Sequence, residues 1–237
     1  MSNHTYVVSD LHGNYDGFMR ILDKINFSDS DIMYVDGDVI DRGKDGIKIL
    51  RYMMMQSNIY PILGNHEYMA CMCLRFLMQE ITEESISSLD QGIVEGLLEW
   101  QNVGGQQTID EFHRLSIEDR LDILDYLEEF SLFEEVHVEG KDFVIVHAGL
   151  TNFDINRRLE DYGLHELIFN PPDYNKVYLP DKFLITGHLP TRAIEGARPD
   201  YILKKNHHIA LDCGSGYDGR IGCICLNTME EIYSEEK

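Results

Sequence analysis

Polar side chains able to bind metal ions or transfer protons occur in five short clusters, and each cluster follows an apolar segment typical of a buried β-strand. The carboxyl ends of parallel strands meet at one edge of an α/β sheet, and ligands bind at that edge. One histidine at a strand end is commonly structural, whereas five polar strand ends together predict a ligand site. The clusters are Asp10 with His12, Asp38 with Asp41 and Arg42, Asn65 with His66, His147, and His188.

The residue types in these clusters match the ligands of two neighbouring divalent cations. Asp10 and His12 are two residues apart, so in an extended segment their side chains point to the same side. Asp38 is the predicted bridge between the ions because a carboxylate has two oxygens to share. Mixed nitrogen and oxygen donors favour Mn, Fe, Zn or Co over Ca or Mg, and we expect two divalent transition-metal ions, with Mn as the first choice. The predicted ligands are Asp10, His12 and Asp38 for the first ion and Asp38, Asn65, His147 and His188 for the second.

Two adjacent cations suit the hydrolysis of a phosphate ester by water. They polarise a phosphoryl oxygen and lower the pKa of a water between them, so that hydroxide attacks phosphorus in line. His66 is the predicted general acid for the leaving oxygen, and Asp41 is expected to hold its imidazole in the required tautomer. The Arg42 guanidinium matches two phosphate oxygens and is predicted to neutralise them. Arg42 and Asn65 are therefore also predicted substrate contacts.

The predicted secondary structure places these clusters at one sheet edge. Three apolar segments, each followed by a stretch with helical spacing, imply βα units and a mainly parallel sheet with right-handed crossovers. Residues 80–135 are acidic and periodic, and we predict a helical insertion beside the sheet, with a turn at 100–105. Ser116 with Asp119 predicts a helix start there. Strands are predicted at 5–8, 32–35, 59–63, 143–146, 183–186 and 208–211, a closing hairpin strand at 221–226, and a frayed tail at 233–237.

The composition excludes several classes of partner. A net charge of −22 argues against binding to nucleic-acid backbones, which needs clustered Lys and Arg, and against anionic membrane surfaces. No apolar run is long enough to span a membrane, and the first residues lack the pattern of a signal peptide. The five cysteines lack the paired CxxC arrangement of a zinc site and indicate reduced thiols. A cytoplasmic protein is therefore expected.

The ordered motifs resemble those of the calcineurin-like metallophosphoesterases. The combination of Gly37–Gly43 with Gly64–Glu67 is specific to the phosphoprotein phosphatase branch of that family, and it is similar to that of the bacterial and phage serine/threonine protein phosphatases. The resemblance implies an α/β fold, a four-layer α/β/β/α sandwich formed by one domain over residues 1–237, with a dimetal site at the carboxyl edge of its sheets. The motifs are Ser9–Gly13, Gly37–Gly43, Gly64–Glu67, Val146–Gly149, Thr186–His188 and, at the closing hairpin, Asp212–Gly214 with Gly219 and Arg220.

One segment departs from the family pattern in a way that concerns phosphate binding. Bacterial relatives have a Trp-x-Arg sequence after the fourth motif, and its arginine is a second contact to the phosphate. In this chain Phe169 replaces the tryptophan and Pro171 replaces the arginine. Arg192 is the predicted substitute for the missing arginine, with Arg157 and Arg158 as alternatives.

Three functions are compatible with these residues. The leading hypothesis is a dimetal-dependent phosphomonoesterase that acts on phosphoserine or phosphothreonine in proteins. The alternative is a dinucleoside polyphosphate hydrolase of the diadenosine tetraphosphate type, which has the same chemistry with a nucleotide as leaving group. The third is a phosphate-binding protein without catalysis, against which the complete ligand set and the pair of His66 and Asp41 argue. The expected partner is a phosphorylated protein or a phosphorylated small molecule.

Overall fold

Two five-stranded β-sheets form the framework of the protein, in a computed structural model that describes residues 3–78 and 91–235. The strands are β1 Thr5–Ser9, β2 Ile32–Asp36, β3 Ile59–Ile62, β4 Glu134–Val138, β5 Lys141–Ile145, β6 Lys182–Thr186, β7 Leu203–Lys205, β8 His208–Ala210, β9 Gly222–Cys225 and β10 Glu231–Tyr233. The first sheet has the order β10-β9-β1-β2-β3 and the second has the order β4-β5-β6-β8-β7. In each sheet three strands are parallel, namely β1, β2 and β3 in the first and β5, β6 and β8 in the second.

Helices connect most of the parallel strands. They are α1 Tyr15–Ile25, α2 Gly46–Met54, α3 Asn65–Leu77, α4 Gln91–Trp100, α5 Gln106–His113, α6 Ile117–Glu128 and α7 Leu164–Ile168. The side chain of Asn14 accepts a hydrogen bond from the Gly17 N–H at 2.9 Å and so caps the start of α1. The helix start predicted at Ser116 is confirmed, because its hydroxyl accepts a hydrogen bond from the Asp119 N–H at 3.1 Å.

Alternate residues of the strands pack into two different cores. In β5, Phe143 and Ile145 belong to a cluster formed by both sheets, whereas Val144 belongs to the cluster that includes the helices. The same alternation in β1 directs Val7 toward the other sheet and Val8 toward the helices. Because side chains alternate with a period of two along a strand, each sheet buries both faces. The sheets therefore lie face to face with helices outside them, as predicted for the α/β/β/α sandwich.

Three short strands at sheet edges lie where no strand was expected. Strand β4 contains Glu134, Glu135 and His137, so its apolar pattern is weak, and it begins inside the predicted insertion. Its position is fixed by antiparallel pairing with β5 across a turn in which Glu139 and Gly140 have φ values of 49° and 73°. Two positive φ values in succession give the turn type that matches the twist of a hairpin. Strands β7 and β10 have three residues each, too few for a periodic pattern.

The end of the chain is more ordered than the sequence suggests. The strand predicted at 221–226 is present as β9, but it is not the closing strand of a hairpin, because β10 follows it and pairs with it. Strand β9 also pairs with β1. The prediction of a frayed tail from residue 233 is wrong for residues 233–235, because Tyr233 ends β10 and Ser234 is buried. The Ser234 hydroxyl accepts a hydrogen bond from the Ile221 N–H at 3.0 Å. Residues 236 and 237 lie outside the described part.

The region predicted as a helical insertion contains α4, α5 and α6, and its residues 80–90 lie outside the described part. Instead of the predicted turn, a π-helical turn at Gln101–Gly105 joins α4 to α5, and Gly104 bends the chain there with a φ of 115°. No helix in the described ranges is long and apolar enough to cross a membrane. The five cysteines carry free thiols. One domain over residues 1–237 stays a prediction.

Candidate metal centre and active site

The polar clusters meet where the central strands of both sheets end, and Asp38 lies between them. Two groups of side chains share this carboxylate, and within each group the ligand atoms lie within 4.8 Å of one another. One group adds His12 and His66 to Asp38, and the other adds His147 and His188. All five side chains are buried except that of His188, which is half-buried. Either group could hold a metal ion, with Asp38 common to both.

The two oxygens of Asp38 face different groups. Oδ1 lies 3.3 Å from Nε2 of His147, whereas Oδ2 lies 3.7 Å from Nε2 of His12 and 3.8 Å from Nε2 of His66. Gly64 makes room for this carboxylate, because a Cβ at that position would approach Oδ1 to 2.3 Å. The structure therefore gives Asp38 the orientation that a bridging ligand requires.

Backbone carbonyls fix the orientation of two of these histidines. Nδ1 of His12 donates to the carbonyl of Ile40 at 2.9 Å, and Nδ1 of His147 donates to the carbonyl of Asp36 at 3.0 Å. Nε2 of each ring is thereby left to face Asp38. A hydrogen bond from the remote ring nitrogen to a carbonyl commonly orients metal-binding histidines. Imidazole and carboxylate donors held in this way fit divalent transition-metal ions.

Asn65 lies beside the second group, at the start of α3. Its Oδ1 lies 2.8 Å from Nδ1 of His188 and 3.1 Å from Nε2 of His147. The backbone N–H of His66, the next residue in the helix, donates to Oδ1 of Asp38 at 3.2 Å. The positive end of the helix therefore faces the carboxylate, which is favourable for its negative charge.

Asp10 is placed differently from the sequence-based expectation. Asp10 and His12 have φ values of 52° and 43°, so they are left-handed rather than extended, and the argument that they share one side of an extended segment is wrong. His12 faces Asp38, whereas both carboxylate oxygens of Asp10 accept the His188 backbone N–H at 3.1 Å. In the described ranges, Asp10 is not a member of either group around Asp38.

Six residues of the site share a backbone conformation that is uncommon for residues with a side chain. Positive φ costs free energy for any residue except glycine, and such conformations concentrate at functional sites, where the surrounding structure enforces them. The six residues, with φ values from 43° to 69°, are Asp10, His12, Asp38, Asp41, Arg42 and His188.

Glu67 holds the loop that carries Asp38, a function that sequence reasoning missed. Its buried carboxylate accepts the backbone N–H groups of Asp38 at 2.8 Å and Gly64 at 3.2 Å through Oε2. Through Oε1 it accepts those of Val39 at 2.8 Å and Ile40 at 3.2 Å. One carboxylate thus joins the start of α3 to the loop after β2. A glutamate in the first turn of a helix was the available signal.

Asp41 and His66 form a buried pair that residues of the insertion support. Nδ1 of His66 donates to Oδ2 of Asp41 at 2.6 Å. The indole N–H of Trp100 donates to the same oxygen at 2.6 Å, and the hydroxyl of Thr108 donates to Oδ1 at 2.5 Å. Trp100 and Thr108 were not predicted to lie in the site, because both are about sixty residues from Asp41 in the chain and reach it only through the fold.

Arg42 contacts both histidines of the first group. Its terminal nitrogens donate to Nε2 of His12 at 2.8 Å and to Nε2 of His66 at 3.1 Å. The guanidinium carbon lies 4.6 Å from the centre of the exposed Tyr217 ring, and the Arg42 backbone N–H donates to the carbonyl of Gly104 at 3.1 Å. The guanidinium fork is therefore held at the candidate metal centre.

The three arginines considered as a second phosphate contact have carboxylate partners. Nε of Arg192 donates to Asp200 at 2.7 Å, and its NH1 nitrogen pairs with Asp218. The contacts described for Arg192 are with these carboxylates rather than with the groups around Asp38. Arg157 and Arg158 pair with Glu166 and Asp161, respectively.

Burial and neighbouring charges shift the pKa values of the carboxylates in opposite directions. Burial raises the pKa of Asp10 well above its usual range, and the nearby Asp212 carboxylate raises it further. Burial also opposes ionisation of Asp38, but His147 and His66 hold the pKa of Asp38 well below its usual range. Asp212, itself 2% exposed, has a pKa raised to about 6, mainly by burial. A cation would relieve the repulsion within this acidic group.

The pKa values of His66 and His188 are shifted in opposite directions. Burial acts to lower the pKa of His66, but the carboxylates of Asp38 and Asp41 outweigh it and raise the pKa. Burial lowers the pKa of His188 to about 4, so its imidazole is neutral, the form that binds metal ions. His66 is thus the better proton donor of the two.

The model of the calcineurin-like phosphoesterase family matches residues 4–211. The chain belongs to this family. A bis(5'-nucleosyl)-tetraphosphatase PrpE, of the asymmetrical type, from Halalkalibacterium halodurans is 25% identical over 95% of this chain and 91% of its own length. A symmetrical bis(5'-nucleosyl)-tetraphosphatase from Wigglesworthia glossinidia brevipalpis is 45% identical over 64 residues, which cover 26% of this chain and 24% of that protein. The chain thus spans about a quarter of the length of this and similar symmetrical relatives.

Two solved structures share the fold of this calcineurin-like phosphoesterase. A protein provisionally assigned as a diadenosine tetraphosphatase matches with a TM-score of 0.67 at 16% identity, over 98% of this chain and 93% of the other. A protein serine/threonine phosphatase from Saccharomyces cerevisiae matches with a TM-score of 0.60 at 12% identity, over 99% of this chain and 81% of the other. At these identities the likeness extends to the fold alone.

Proposed function

We propose that this phosphoesterase is a dinucleoside polyphosphate hydrolase that uses two divalent cations held around Asp38. The observation that carries the metal-dependent chemistry is the division of the two Asp38 oxygens between two ligand groups. His66, which is paired with Asp41, belongs to the first group, and the guanidinium of Arg42 contacts it. This proposal reverses the order of the two substrate hypotheses that the sequence alone suggested.

The residues proposed to hold the cations supply imidazole, carboxylate and amide donors. Bound there, two divalent cations supply Lewis-acid polarisation of phosphoryl oxygens and an activated water. Mn is the proposed metal, with Fe, Zn or Co as alternatives, because mixed nitrogen and oxygen ligands favour this class. The proposed ligands are Asp10, His12, Asp38, Asn65, His147 and His188.

The remaining site residues bind phosphate and control one proton. Hydrolysis of the substrate breaks one P–O–P linkage, water adds to the attacked phosphorus, and the bridging oxygen leaves with the other nucleotide. Arg42 is proposed to turn its fork from the histidines to the nonbridging oxygens of the phosphate. His66 is proposed to hold the proton for the leaving oxygen on Nε2, while Asp41 accepts from Nδ1 and fixes the tautomer. Asn65 is proposed as a further substrate contact.

The choice of dinucleotides over phosphoproteins is supported by the relative that aligns over most of its length. The alignment with the asymmetrical tetraphosphatase from Halalkalibacterium halodurans covers 95% of this chain and 91% of that protein. The activity in its name therefore belongs to a protein that matches this chain over nearly its whole length. A serine/threonine protein phosphatase is the second candidate. It is supported by the combined motifs Gly37–Gly43 and Gly64–Glu67, which place Asp41, Arg42 and His66 together.

Turnover of matched substrates tests the proposal. The protein, loaded with Mn or Co, is assayed with diadenosine tetraphosphate, a phosphoserine peptide and p-nitrophenyl phosphate. We expect the highest kcat/KM for the dinucleotide, and separation of the products distinguishes cleavage to two ADP from cleavage to ATP and AMP. Turnover of the peptide with no turnover of the dinucleotide would establish the second candidate. Turnover of none of the three would leave a phosphate-binding protein.

A variant of the shared ligand connects activity with the centre. Asp38→Asn is expected to lose metal binding and turnover together, because the amide removes the charge and one of the two acceptor oxygens. Asp122→Asn, on the exposed face of α6, is the matched control and is expected to retain both. Near-normal turnover by Asp38→Asn would contradict the proposed mechanism.

We also propose a cytoplasmic location. It is supported by the five free thiols, since oxidising compartments favour disulfides.

A further inference from the structure

A cavity of about 580 Å³ lies beside the candidate metal centre, between α3, α4 and α7. Three aromatic side chains in its wall come from two segments that are distant in sequence, namely Tyr68 from α3 and His165 with Phe169 from the region of α7. We call it the aromatic cavity. Its volume is within the range typical of small-molecule sites.

The three rings contact one another and leave part of their aromatic surface uncovered. His165 and Phe169 stack with centroids 5.1 Å apart and an interplanar angle of 15°. Tyr68 meets both edge-on, with centroids 5.3 Å from His165 and 6.1 Å from Phe169. Tyr68 and Phe169 are half-buried and His165 is exposed, so aromatic surface remains for another planar group.

The aromatic cavity is connected directly to the groups around Asp38. Tyr68 follows Asn65 by three residues in α3, so the two side chains are neighbours on one helix face. The backbone of Phe169 lies close enough to the His188 ring to act on the pKa of that ring. Asn65 and His188 contact each other at 2.8 Å. A substrate with a phosphate at the centre therefore has the aromatic cavity next to it.

The remaining wall of the aromatic cavity favours an uncharged planar group. Met69, Met72 and Ile93 supply apolar surface, and flexible methionines adapt to the shape of a ring. Glu99 is the charged residue of the lining, which contains no Lys or Arg among the described residues. A carboxylate repels a phosphate group but can accept a hydrogen bond from the exocyclic amino group of a base.

We propose that the aromatic cavity binds one nucleobase of the substrate by stacking, while the adjoining phosphates lie at the groups around Asp38. This inference rests on the proposed function, since it assigns a recognition site for the nucleoside part of a dinucleotide. Stacking of a base on aromatic side chains contributes about 1–3 kcal/mol, or roughly five- to 150-fold in affinity.

Inhibition by nucleotide fragments tests the cavity without requiring turnover of a dinucleotide. AMP and ribose 5-phosphate carry the same phosphate and sugar, but only AMP has a base. With p-nitrophenyl phosphate as the reporter substrate and the metal-loaded full chain, AMP is expected to inhibit at a concentration about tenfold lower than ribose 5-phosphate. Equal inhibition by the two compounds would overturn the proposal.

Variants of the rings locate the base. Phe169→Ala is expected to abolish the advantage of AMP over ribose 5-phosphate, whereas Phe169→Trp preserves it. Tyr68→Leu is a second variant, expected to reduce the advantage, in case Phe169→Ala does not fold. Tyr60→Ala removes an exposed ring from β3 and is the matched control, expected to keep the full advantage. An AMP advantage that persists in both Phe169→Ala and Tyr68→Leu would place the base elsewhere.

The same measurements separate failure of this inference from failure of the proposed function. Loss of the AMP advantage in Phe169→Ala supports the base site even if diadenosine tetraphosphate is not hydrolysed. Hydrolysis of the dinucleotide without any AMP advantage supports the function and overturns the base site. A phosphopeptide with an aromatic residue beside the phosphoserine, if it alone inhibits more strongly than ribose 5-phosphate, would assign the cavity to peptides and overturn the proposal.

Discussion

Oε2 of Glu67 accepts the backbone N–H of Asp38 at 2.8 Å, so a residue outside the proposed ligand set holds the ligand shared by both groups. The same carboxylate accepts three further backbone N–H groups, two of them from Val39 and Ile40. The loop after β2 carries Asp38, Asp41 and Arg42 with positive φ values, a conformation that needs support from the surrounding structure. Glu67 provides such support from α3.

Glu67→Gln is expected to lower metal affinity about 10- to 100-fold, the usual range for residues that orient metal ligands. Whichever way the new amide turns, its NH2 group faces two backbone N–H donors in place of a carboxylate oxygen. Calorimetric titration with Mn²⁺ measures the change. Glu128→Gln, which alters an exposed partner of Arg75, is the control and should bind Mn²⁺ like the parent protein. Unchanged affinity in Glu67→Gln would show that the loop holds its shape without this carboxylate.

Trp100→Phe is expected to weaken general acid catalysis while metal content stays unchanged. The variant removes the indole N–H that donates to Asp41 at 2.6 Å, and a hydrogen bond to a charged group is worth about 1.5–3 kcal/mol. We expect kcat to fall about tenfold or more on an alkyl phosphate, whose leaving oxygen needs a proton.

The leaving group provides the control for Trp100→Phe. p-Nitrophenyl phosphate releases a stable anion, so its hydrolysis should fall much less than that of the alkyl phosphate. An equal loss on both substrates would mean that Trp100 supports the structure of the site rather than the proton transfer from His66.

Arg192 stays a proposed phosphate contact. To bind a phosphate, its guanidinium must exchange a carboxylate partner for the phosphate. Its ion pair with Asp218 involves a carboxylate that is 86% exposed. Such pairs contribute about 0–1 kcal/mol to stability, so replacing Asp218 by a phosphate as the partner of Arg192 costs little free energy. Arg192→Ala is expected to raise KM with little change in kcat, and Asp218→Asn to lower KM, both measured by steady-state kinetics. Unchanged KM in both variants would remove Arg192 from the substrate site.

Glu111 makes the free energy of unfolding depend on pH between about 4.5 and 7. Burial raises the pKa of Glu111 from 4.5 to about 7, so the folded chain binds more protons than the unfolded chain between these values. The free energy of unfolding therefore falls as pH rises from about 4.5 to 7, and Glu111→Gln removes this dependence. At pH 8 the variant is expected to be about 1–2 kcal/mol more stable than the parent, after allowance for solvent screening.

Urea unfolding at pH 5 and pH 8 checks the Glu111 prediction. The Gln oxygen can still accept the Ile47 N–H, which lies 2.8 Å from Oε2 in the parent. Glu118→Gln, on the exposed face of α6, is the control and should follow the parent at both pH values. Parallel stability curves for Glu111→Gln and the parent would contradict the assigned cause.

The strand ends were predictable from sequence because each apolar segment is short and stops at a polar residue. His147 and His188 come together for that reason, because β5 and β6 are parallel neighbours whose carboxyl ends lie at one edge. Asp38 follows β2 in the other sheet and reaches them because the two sheets pack face to face. The orientation of Asp10 was not predictable, because it depends on a left-handed backbone that an extended-strand argument does not represent.

The hydrogen bonds that Asp41 accepts from residues distant in the chain could not be predicted from the sequence either. Trp100 and Thr108 bond Asp41 only because the insertion folds back over the loop after β2, and no local pattern encodes that contact. Strand β4 was missed because an edge strand alternates with charged residues and has no continuous apolar run.

The hydrogen bond from Trp100 to Asp41 has a spectroscopic consequence. Trp100 is the single tryptophan of the chain and is fully buried, so tryptophan fluorescence comes from one known position. Its indole N–H bonds the carboxylate that also accepts from His66, and the emission of an indole responds to charge in its surroundings. A change of protonation or charge at the pair of His66 and Asp41 is therefore expected to change the fluorescence emission of Trp100, without any attached label.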